Sequence, residues 1–382
     1  MKIGQFSDSF LPIVDGVGRV AYNYCEAIAN KGHECTAVVP FDNMGYRGKY
    51  PFEILDYFSK PLLVRPEYDI GLPTFDIHYK KRLDMTNFDI VHVHTPFIAG
   101  IEGIRYAKER NIPIVGSFHS KYYDDFLQIT KSRHIANVGT DLIVDFYNHC
   151  DEVWTVSNSA ANVLRSYGYD KDIKVIPNGM EKIELSDDLS INVKKKFNIN
   201  DDPCLLYVGQ INWKKNIIRI LEACSKLNND GIKFNLLLAG KGPHTSQVED
   251  KILELGIKDK TYMLGHITDD KTLYGLYSLA TLFLFPSTYD TYSLVVREAA
   301  YCETPSIVVA GTAPAECIDH GVNGLYCEDN SESLYEICKY ALINKEYCQK
   351  LGILAKETIP ISWDSVIDRV LDRYGQLIEL KQ

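Results

Sequence analysis

The chain has 382 residues, more than one ordinary domain holds. At roughly 150 residues per domain, two or three domains are expected. It is 46% hydrophobic and 24% charged, a globular balance that excludes disordered, collagen-like and coiled-coil chains. Forty-one basic against 51 acidic residues leave a net charge of −10. That sign argues against nucleic acid as a partner, because such binding rests on neutralising phosphates.

Strands and helices alternate along the chain. Ile3–Phe6 begins a strand, with no signal peptide expected before it. Val17, Val20, Ala21, Tyr24, Cys25 and Ile28 then recur at helical spacing, and Gly32 ends that helix. Glu34–Val39 is a strand stopped by Pro40, and Ile90–His94 a short buried one. Glu102–Glu109 reads as a helix, and Pro113–Phe118 and Glu152–Val156 as strands. This rhythm predicts a parallel sheet covered on both faces. Residues 177–202 read as a polar, helix-poor join containing Asn178-Gly179 and Asp187-Asp188. A second run follows: strand Leu205–Val208, a helix through Ile217, Ile220, Leu221, Cys224 and Leu227, and strands Phe234–Ala239, Leu282–Phe285 and Ser306–Val309. The expected division is 1–180, 181–360 and a terminal helix within 361–382. That helix carries an apolar stripe of Trp363, Val366, Ile367, Val370, Leu371, Tyr374 and Ile378.

No run of about 18 apolar residues occurs, so no spanning helix is expected. The ten cysteines lie far apart without a C-x-x-C pair, which reads as reduced, mostly buried thiols rather than a disulfide frame or zinc site. A cytoplasmic protein is expected.

Gly16-Val17-Gly18-Arg19-Val20-Ala21 fits G-x-G-x-x-A. A dinucleotide fold needs that loop directly after the first strand and an acid ending the second. Here about nine residues intervene and the second strand ends Val38-Val39-Pro40. The remaining role is a glycine loop opening a helix, whose backbone N–H groups face an anion. His92 and His94 share one face of a strand end, and His119 ends the next strand. Ligands of open α/β sheets bind at such carboxyl ends. Asp170-Lys171-Asp172 is a D-x-D in a turn, read as solvated charge and not as a metal site. Lys214-Lys215-Asn216 precedes a helix, where a lysine reaches a phosphate at the helix N-terminus. In Asp290–Glu298 a loop meets a helix. The N–H groups of Tyr292, Ser293 and Leu294 are expected to face an anion or hydroxyl, and Glu298 can accept two hydrogen bonds from a diol.

Taken in order, Asp15–Gly18, Phe118-His119-Ser120, Pro177-Asn178-Gly179, Val208-Gly209-Gln210 with Lys215-Asn216, Gly240-Lys241-Gly242-Pro243, Asp290–Glu298 and Gly321-Val322-Asn323-Gly324 resemble glycosyltransferase family 4 over nearly the whole chain. The resemblance implies the GT-B fold, an α/β architecture of two facing Rossmann-like domains with the C-terminal helix crossing back to the first. It implies a nucleotide-sugar donor held mainly by the second domain, an acceptor on the first, transfer with retention, and no essential metal or other cofactor. On this pattern Glu298 grips the donor ribose, Asp290 faces the donor sugar and Lys215 meets the diphosphate. Gly16, with Val17 and Gly18, approaches that diphosphate. His119, with His94, lies near the reacting centre, and Gly209, Gln210, Gly240 and Gly242 line the donor loops. Phe118-His119-Ser120 is most similar to members that glycosylate membrane lipids or envelope glycans.

The sequence thus implies a hexosyltransferase using a UDP-sugar, or else a GDP-sugar, on a lipid or glycan acceptor. For a lipid acceptor, peripheral contact with the inner face of the plasma membrane follows, with Lys80-Lys81-Arg82 and the loop Lys121–Arg133 as candidate surfaces. Two departures from the family pattern stand out. Gln210 replaces an arginine, and Asp290 replaces a glutamate, with Ser293 where glycine is common. They leave open a nucleotide-sugar-binding protein with little or no transfer activity. A GT-B epimerase or phosphorylase is a further alternative.

Overall fold

The structure, a computed structural model, describes residues 1–12, 15–41, 48–62, 65–181, 183–186 and 188–381. Asp187 of the expected join lies outside the described residues. The chain divides into two compact units, Met1–Gly179 with Ser362–Gln382, and Met180–Ile361.

Among its described residues the first unit has nine strands: β1 (Lys2–Phe6), β2 (Glu34–Pro40), β3 (Glu53–Tyr57), β4 (Ser59–Leu62), β5 (Arg65–Gly71), β6 (Ile90–Val93), β7 (Ile114–Phe118), β8 (Glu152–Thr155) and β9 (Ile173–Val175). Seven form one sheet in the order β3-β2-β1-β6-β7-β8-β9, and β4 and β5 form a separate hairpin. Every pairing in the large sheet is parallel. That explains the near-continuous apolar strands, since both faces are covered. Helices α1 (Gly16–Asn30), α2 (Ile77–Met85), α3 (Ile98–Arg110), α4 (Tyr122–Thr130), α5 (Arg133–Asn148) and α6 (Asn158–Ser166) connect them. The apolar spacing of α1 is its buried face: Val20, Ala21, Tyr24, Cys25 and Ile28 are all buried.

The C-terminal helix, Trp363–Lys381, belongs to this unit. It buries Trp363, Val366, Ile367, Val370, Tyr374 and Leu377. Leu377, not Ile378, completes the buried stripe. Trp363 meets Tyr24 edge-on at 5.6 Å, and Tyr374 stacks on Trp154 at 5.6 Å. A Cβ on Gly179 would sit 2.6 Å from the Trp363 backbone, so only glycine lets the helix start so close.

The second unit holds β10 (Cys204–Val208), β11 (Asn235–Ala239), β12 (Thr261–Gly265), β13 (Leu282–Phe285), β14 (Ser306–Val309) and β15 (Leu325–Cys327). They make a parallel six-stranded sheet ordered β12-β11-β10-β13-β14-β15. Helices α7 (Asp188–Lys196), α8 (Ile217–Asn229), α9 (Thr245–Glu254), α10 (Asp270–Leu279), α11 (Leu294–Tyr301), α12 (Ser331–Ile343) and α13 (Lys345–Thr358) cover it. Two expectations are corrected here. The join expected to be helix-poor contains α7, which buries Leu189 and Val193 one turn apart. Gly275 of α10 admits its approach, since a Cβ there would lie 2.7 Å from the Leu189 carbonyl oxygen. The segment Lys121–Arg133, expected as a loop, is mostly the helix α4.

Candidate functional site

Strand order decides where a ligand can enter. In the first unit the connections reverse direction between β1 and β6, and in the second between β10 and β13. At such switch points the loops after adjacent strands part and leave a crevice at the carboxyl edge. Each unit carries a cluster of polar residues at its switch point.

In the first unit, Gln5 of β1 lies opposite His92 of β6. Gln5, His92 and His94 are buried, and His119 is half-buried. Gln5 Oε1 is 2.7 Å from His94 Nε2, and Gln5 Nε2 donates to the Tyr374 hydroxyl at 3.3 Å. His92 bonds the same hydroxyl through Nδ1 and Ser117 Oγ through Nε2 at 2.7 Å. His94 Nδ1 faces His119 Nε2 at 3.4 Å. Burial pulls all three histidines down, His119 to about 4. They are neutral rings near pH 7, able to pass a hydrogen bond but not to carry standing charge. Asp8, in the loop after β1, accepts from Thr95 Oγ1 at 2.5 Å and from the Ala99 N–H at 2.9 Å. It therefore caps α3, whose own N-cap residue Phe97 makes no side-chain cap bond. Burial raises Asp8 to about 6 despite these bonds.

The glycine loop departs from expectation in one respect. Asp15 caps α1, and the Gly18 N–H donates to its carboxylate at 2.7 Å. Gly18 is thus committed to the cap, and the Arg19 N–H to the Asp15 carbonyl. Among the described residues, the first-turn donors of Gly16 and Val17 remain for an anion. Gly18 must be glycine because a Cβ would lie 2.9 Å from Ser9 Oγ and 3.1 Å from the Phe10 nitrogen, whereas one on Gly16 would meet nothing within 4 Å.

In the second unit, the loops after β10 and β13 bring Lys215 and Asp290 together, with Nζ 2.7 Å from Oδ1. The other carboxylate oxygen of Asp290 is buried with no hydrogen-bond partner among the described residues, and so is Ser293 Oγ. Lys214 and Lys215 both reach the Tyr289 ring, with their Nζ atoms 5.1 and 5.7 Å from its centroid. Asn216, at φ 56°, pins the two loops by donating to the Pro286 carbonyl at 3.0 Å. Ser293 stands at φ 60° as N-cap of α11, which explains why a glycine suits that position. Arg297, 6% exposed, holds the turn from behind. It donates to the Tyr292 carbonyl at 3.0 Å and stacks 3.7 Å over the Tyr292 ring. The Tyr292 ring is therefore packed on Arg297, and the expected ligand contact falls to its backbone and those of Ser293 and Leu294. Glu298, one turn into α11, accepts from the buried Tyr277 hydroxyl at 2.9 Å, so Tyr277 holds one of the two oxygens expected for a diol.

The loops after β10 and β11 lie against each other. The Gly209 N–H donates to the Ala239 carbonyl and the Ile211 N–H to the Lys241 carbonyl, at 3.0 and 3.2 Å. A Cβ on Gly240 would sit 1.8 Å from the Gly209 carbonyl oxygen, and one on Gly242 2.2 Å from that of Ile211. These glycines serve loop-to-loop packing, a role their sequence setting did not distinguish from ligand contact. Gln210 is exposed, and among the described residues its side chain makes only a long 3.5 Å contact with Asn212. Gln5, Ser117, Tyr277 and Arg297 carry no site role in the sequence reading, and Tyr374 appears there only in the apolar stripe.

Residues 14–182 match the family described as Glycosyltransferase Family 4, and residues 190–358 that described as Glycosyl transferases group 1. The chain is 28% identical over 318 residues to an alpha-monoglucosyldiacylglycerol synthase of Streptococcus pneumoniae, covering 80% of this chain and 70% of that one. It is 26% identical to the alpha-monoglucosyldiacylglycerol synthase of Acholeplasma laidlawii, covering 93% and 91%. Its structure resembles that of Anabaena HepE in complex with UDP, with a TM-score of 0.78, 14% identity and coverage of 98% and 100%. At that identity the likeness is one of fold, the GT-B fold.

Proposed function

Because the chain belongs to glycosyltransferase family 4 and is a hexosyltransferase, we propose that it moves a hexose, with retention, from a nucleoside diphosphate sugar to a membrane-lipid acceptor. UDP is the preferred nucleotide and GDP the second choice. The reading is supported most by the second unit's switch point. There an ammonium group stands beside a carboxylate whose second oxygen is buried and unpaired. A buried acceptor without a donor is costly, and a sugar hydroxyl would satisfy it while a diphosphate meets Lys215.

In the reaction, the bond from the anomeric carbon to the phosphate oxygen breaks and one to the acceptor oxygen forms on the same face. The acceptor proton passes to the departing phosphate. Lys215 and backbone N–H groups stabilise the charge that develops there. Glu298 takes the ribose, and His119 lies at the acceptor end. No covalent enzyme nucleophile and no metal are required on this route.

The two lipid-synthase relatives support a lipid acceptor. So do two surfaces of the first unit. On α5, Ile135, Val138 and Leu142 lie on one exposed face, with exposed Ile129 nearby in sequence and Lys131 and Arg133 flanking it. On α2, the Lys80-Lys81-Arg82 run lies between exposed Ile77 and Met85. Apolar side chains flanked by basic ones suit an anionic bilayer surface. Among the described residues no helix is long and apolar enough to cross a membrane.

The test is nucleotide release from purified protein with a panel of UDP- and GDP-sugars, with and without envelope lipid. Release from one donor, stimulated by lipid, is expected. Nucleotide binding without release under any lipid condition would refute the proposal. Flotation with anionic liposomes at low salt should carry the protein, and its absence would count against the membrane surface. Glu298→Ala should weaken nucleotide binding, whereas His119→Ala should lower turnover more than donor affinity. Equal, small effects would overturn both roles.

A further inference from the structure

We infer that Gln5, bonded to Tyr374 of the C-terminal helix, is the positioning residue that decides which ring nitrogen of His119 carries its proton. This rests on the reading of His119 as a group beside the reacting centre.

A carbonyl oxygen only accepts hydrogen bonds. With Gln5 Oε1 2.7 Å from His94 Nε2, that nitrogen must carry the proton. His92 and His94 stack at 4.3 Å inside the sheet, and burial holds each ring uncharged near pH 7. His94 is therefore neutral, and its single proton leaves Nδ1 an acceptor. The group facing Nδ1 is His119 Nε2 at 3.4 Å, which must donate. His119 is neutral too, so its Nδ1 is an acceptor. The same amide works in the other direction. Gln5 Nε2 donates to Tyr374, so the Tyr374 proton turns to His92 Nδ1, and His92 Nε2 donates to Ser117.

Along this chain of bonds, every assignment follows from one amide. Turning it over would reverse each donor, and His119 would then present an N–H at Nδ1 instead of a lone pair. Serine and tyrosine hydroxyls adapt to either pattern, and imidazoles take either tautomer. Gln5 alone has a fixed donor end and a fixed acceptor end. It is 1% exposed on a strand with buried neighbours, so water does not substitute for it. The C-terminal helix therefore takes part in the site, through one hydroxyl.

The test is long-range proton–nitrogen correlation NMR on protein labelled with 15N-histidine. His119 is assigned by its loss in His119→Ala. Wild type should show His119 protonated at Nε2. Gln5→Met, close in size and without the amide, should shift His119 to a mixture or to the opposite tautomer. Tyr374→Phe, which keeps the stack on Trp154, is the second variant and should move the tautomer in the same direction. In Gln5→Met, kcat should fall about tenfold with donor KM unchanged, the factor that a tautomer bias of about 1.4 kcal/mol corresponds to. Wild-type protonation at Nδ1, or an unchanged tautomer in both folded variants, would overturn the inference. A shifted tautomer with unchanged kcat would support it and would instead remove His119 from the reaction.

Discussion

Asp290→Asn should tighten the binding of a free nucleoside diphosphate while it lowers turnover. The pair Lys215–Asp290 closes at 2.7 Å, with side chains 19% and 20% exposed. At an effective dielectric constant near 20, the gross attraction at that distance is about 6 kcal/mol. Desolvation and side-chain ordering offset most of it, leaving a net of about 1 kcal/mol for a pair in partial contact with water. A diphosphate that takes Lys215 must displace this carboxylate and bear that net cost. Asparagine keeps the shape and removes the competing charge, so UDP should bind about fivefold tighter. On the proposed route the carboxylate faces the donor sugar, and losing one preorganised electrostatic group costs on the order of 10²-fold in turnover. Calorimetric titration with UDP measures the first effect, and nucleotide release the second. Lys215→Met is the reference, expected to weaken UDP. If Asp290→Asn weakened UDP as much as Lys215→Met does, the ion pair would be part of the bound site, and competition between carboxylate and diphosphate would be refuted.

Gly240→Ala places a Cβ 1.8 Å from the Gly209 carbonyl oxygen at φ 144°. It should lower Tm by about 5 °C or more through strain of roughly 1–3 kcal/mol, while Gly16→Ala, with nothing within 4 Å, should leave Tm unchanged in the same scan. Arg297→Met removes charge-assisted bonds to buried carbonyls and should cost about 2 kcal/mol in denaturant titration; a variant as stable as wild type would discount the clamp. Acid should also destabilise the first unit. His119 falls from 6.5 to about 4 in the fold, and burial lowers His92 and His94 as well. Each binds its proton more readily unfolded, so stability declines as pH drops below 6.5 toward the folded values, by about 1.4 kcal/mol per pH unit and group. Asp8, raised from 3.8 to about 6, works the other way over that interval, since its proton is held more tightly in the fold. Three groups against one leave a net loss, and a Tm that stays level between pH 6.5 and 4.5 would contradict it.

Much of the architecture is legible because parallel sheets write themselves plainly. Strands covered on both faces become apolar runs such as Leu205–Val208 and Leu282–Phe285, and α1 and α8 show their buried stripes at helical spacing. What escapes has weak patterning. Helix α7 is nine residues long and ends in three lysines, so its two buried side chains hardly stand out from a polar linker. The hairpin of β4 and β5 begins Ser59-Lys60-Pro61, with a proline placed at a sheet edge where it loses no ladder bond.

The site divides along a similar line. Lys215, Asp290, Glu298 and the histidines are visible because their residue types suggest chemistry and their loops carry glycine or proline punctuation. Gln5 and Arg297 suggest none on their own, and their partners lie far off in sequence: Tyr374 is 369 residues from Gln5. Yet each breaks a local rule. A glutamine inside Lys2–Phe6 interrupts a strand that is otherwise buried and apolar beyond its first residue. An arginine in α11 sits among Val296, Ala299 and Ala300 on the buried face. An amide or guanidinium so placed is costly to the extent that its hydrogen bonds are not met inside the protein. In both cases the partners found belong to the carboxyl edge of the same unit: imidazole and tyrosine for Gln5, and the carbonyl of a strained turn for Arg297, whose Nε has no hydrogen-bond partner among the described residues. A polar residue out of pattern in a buried element is therefore a pointer to the site, even when nothing nearby in sequence says what it holds.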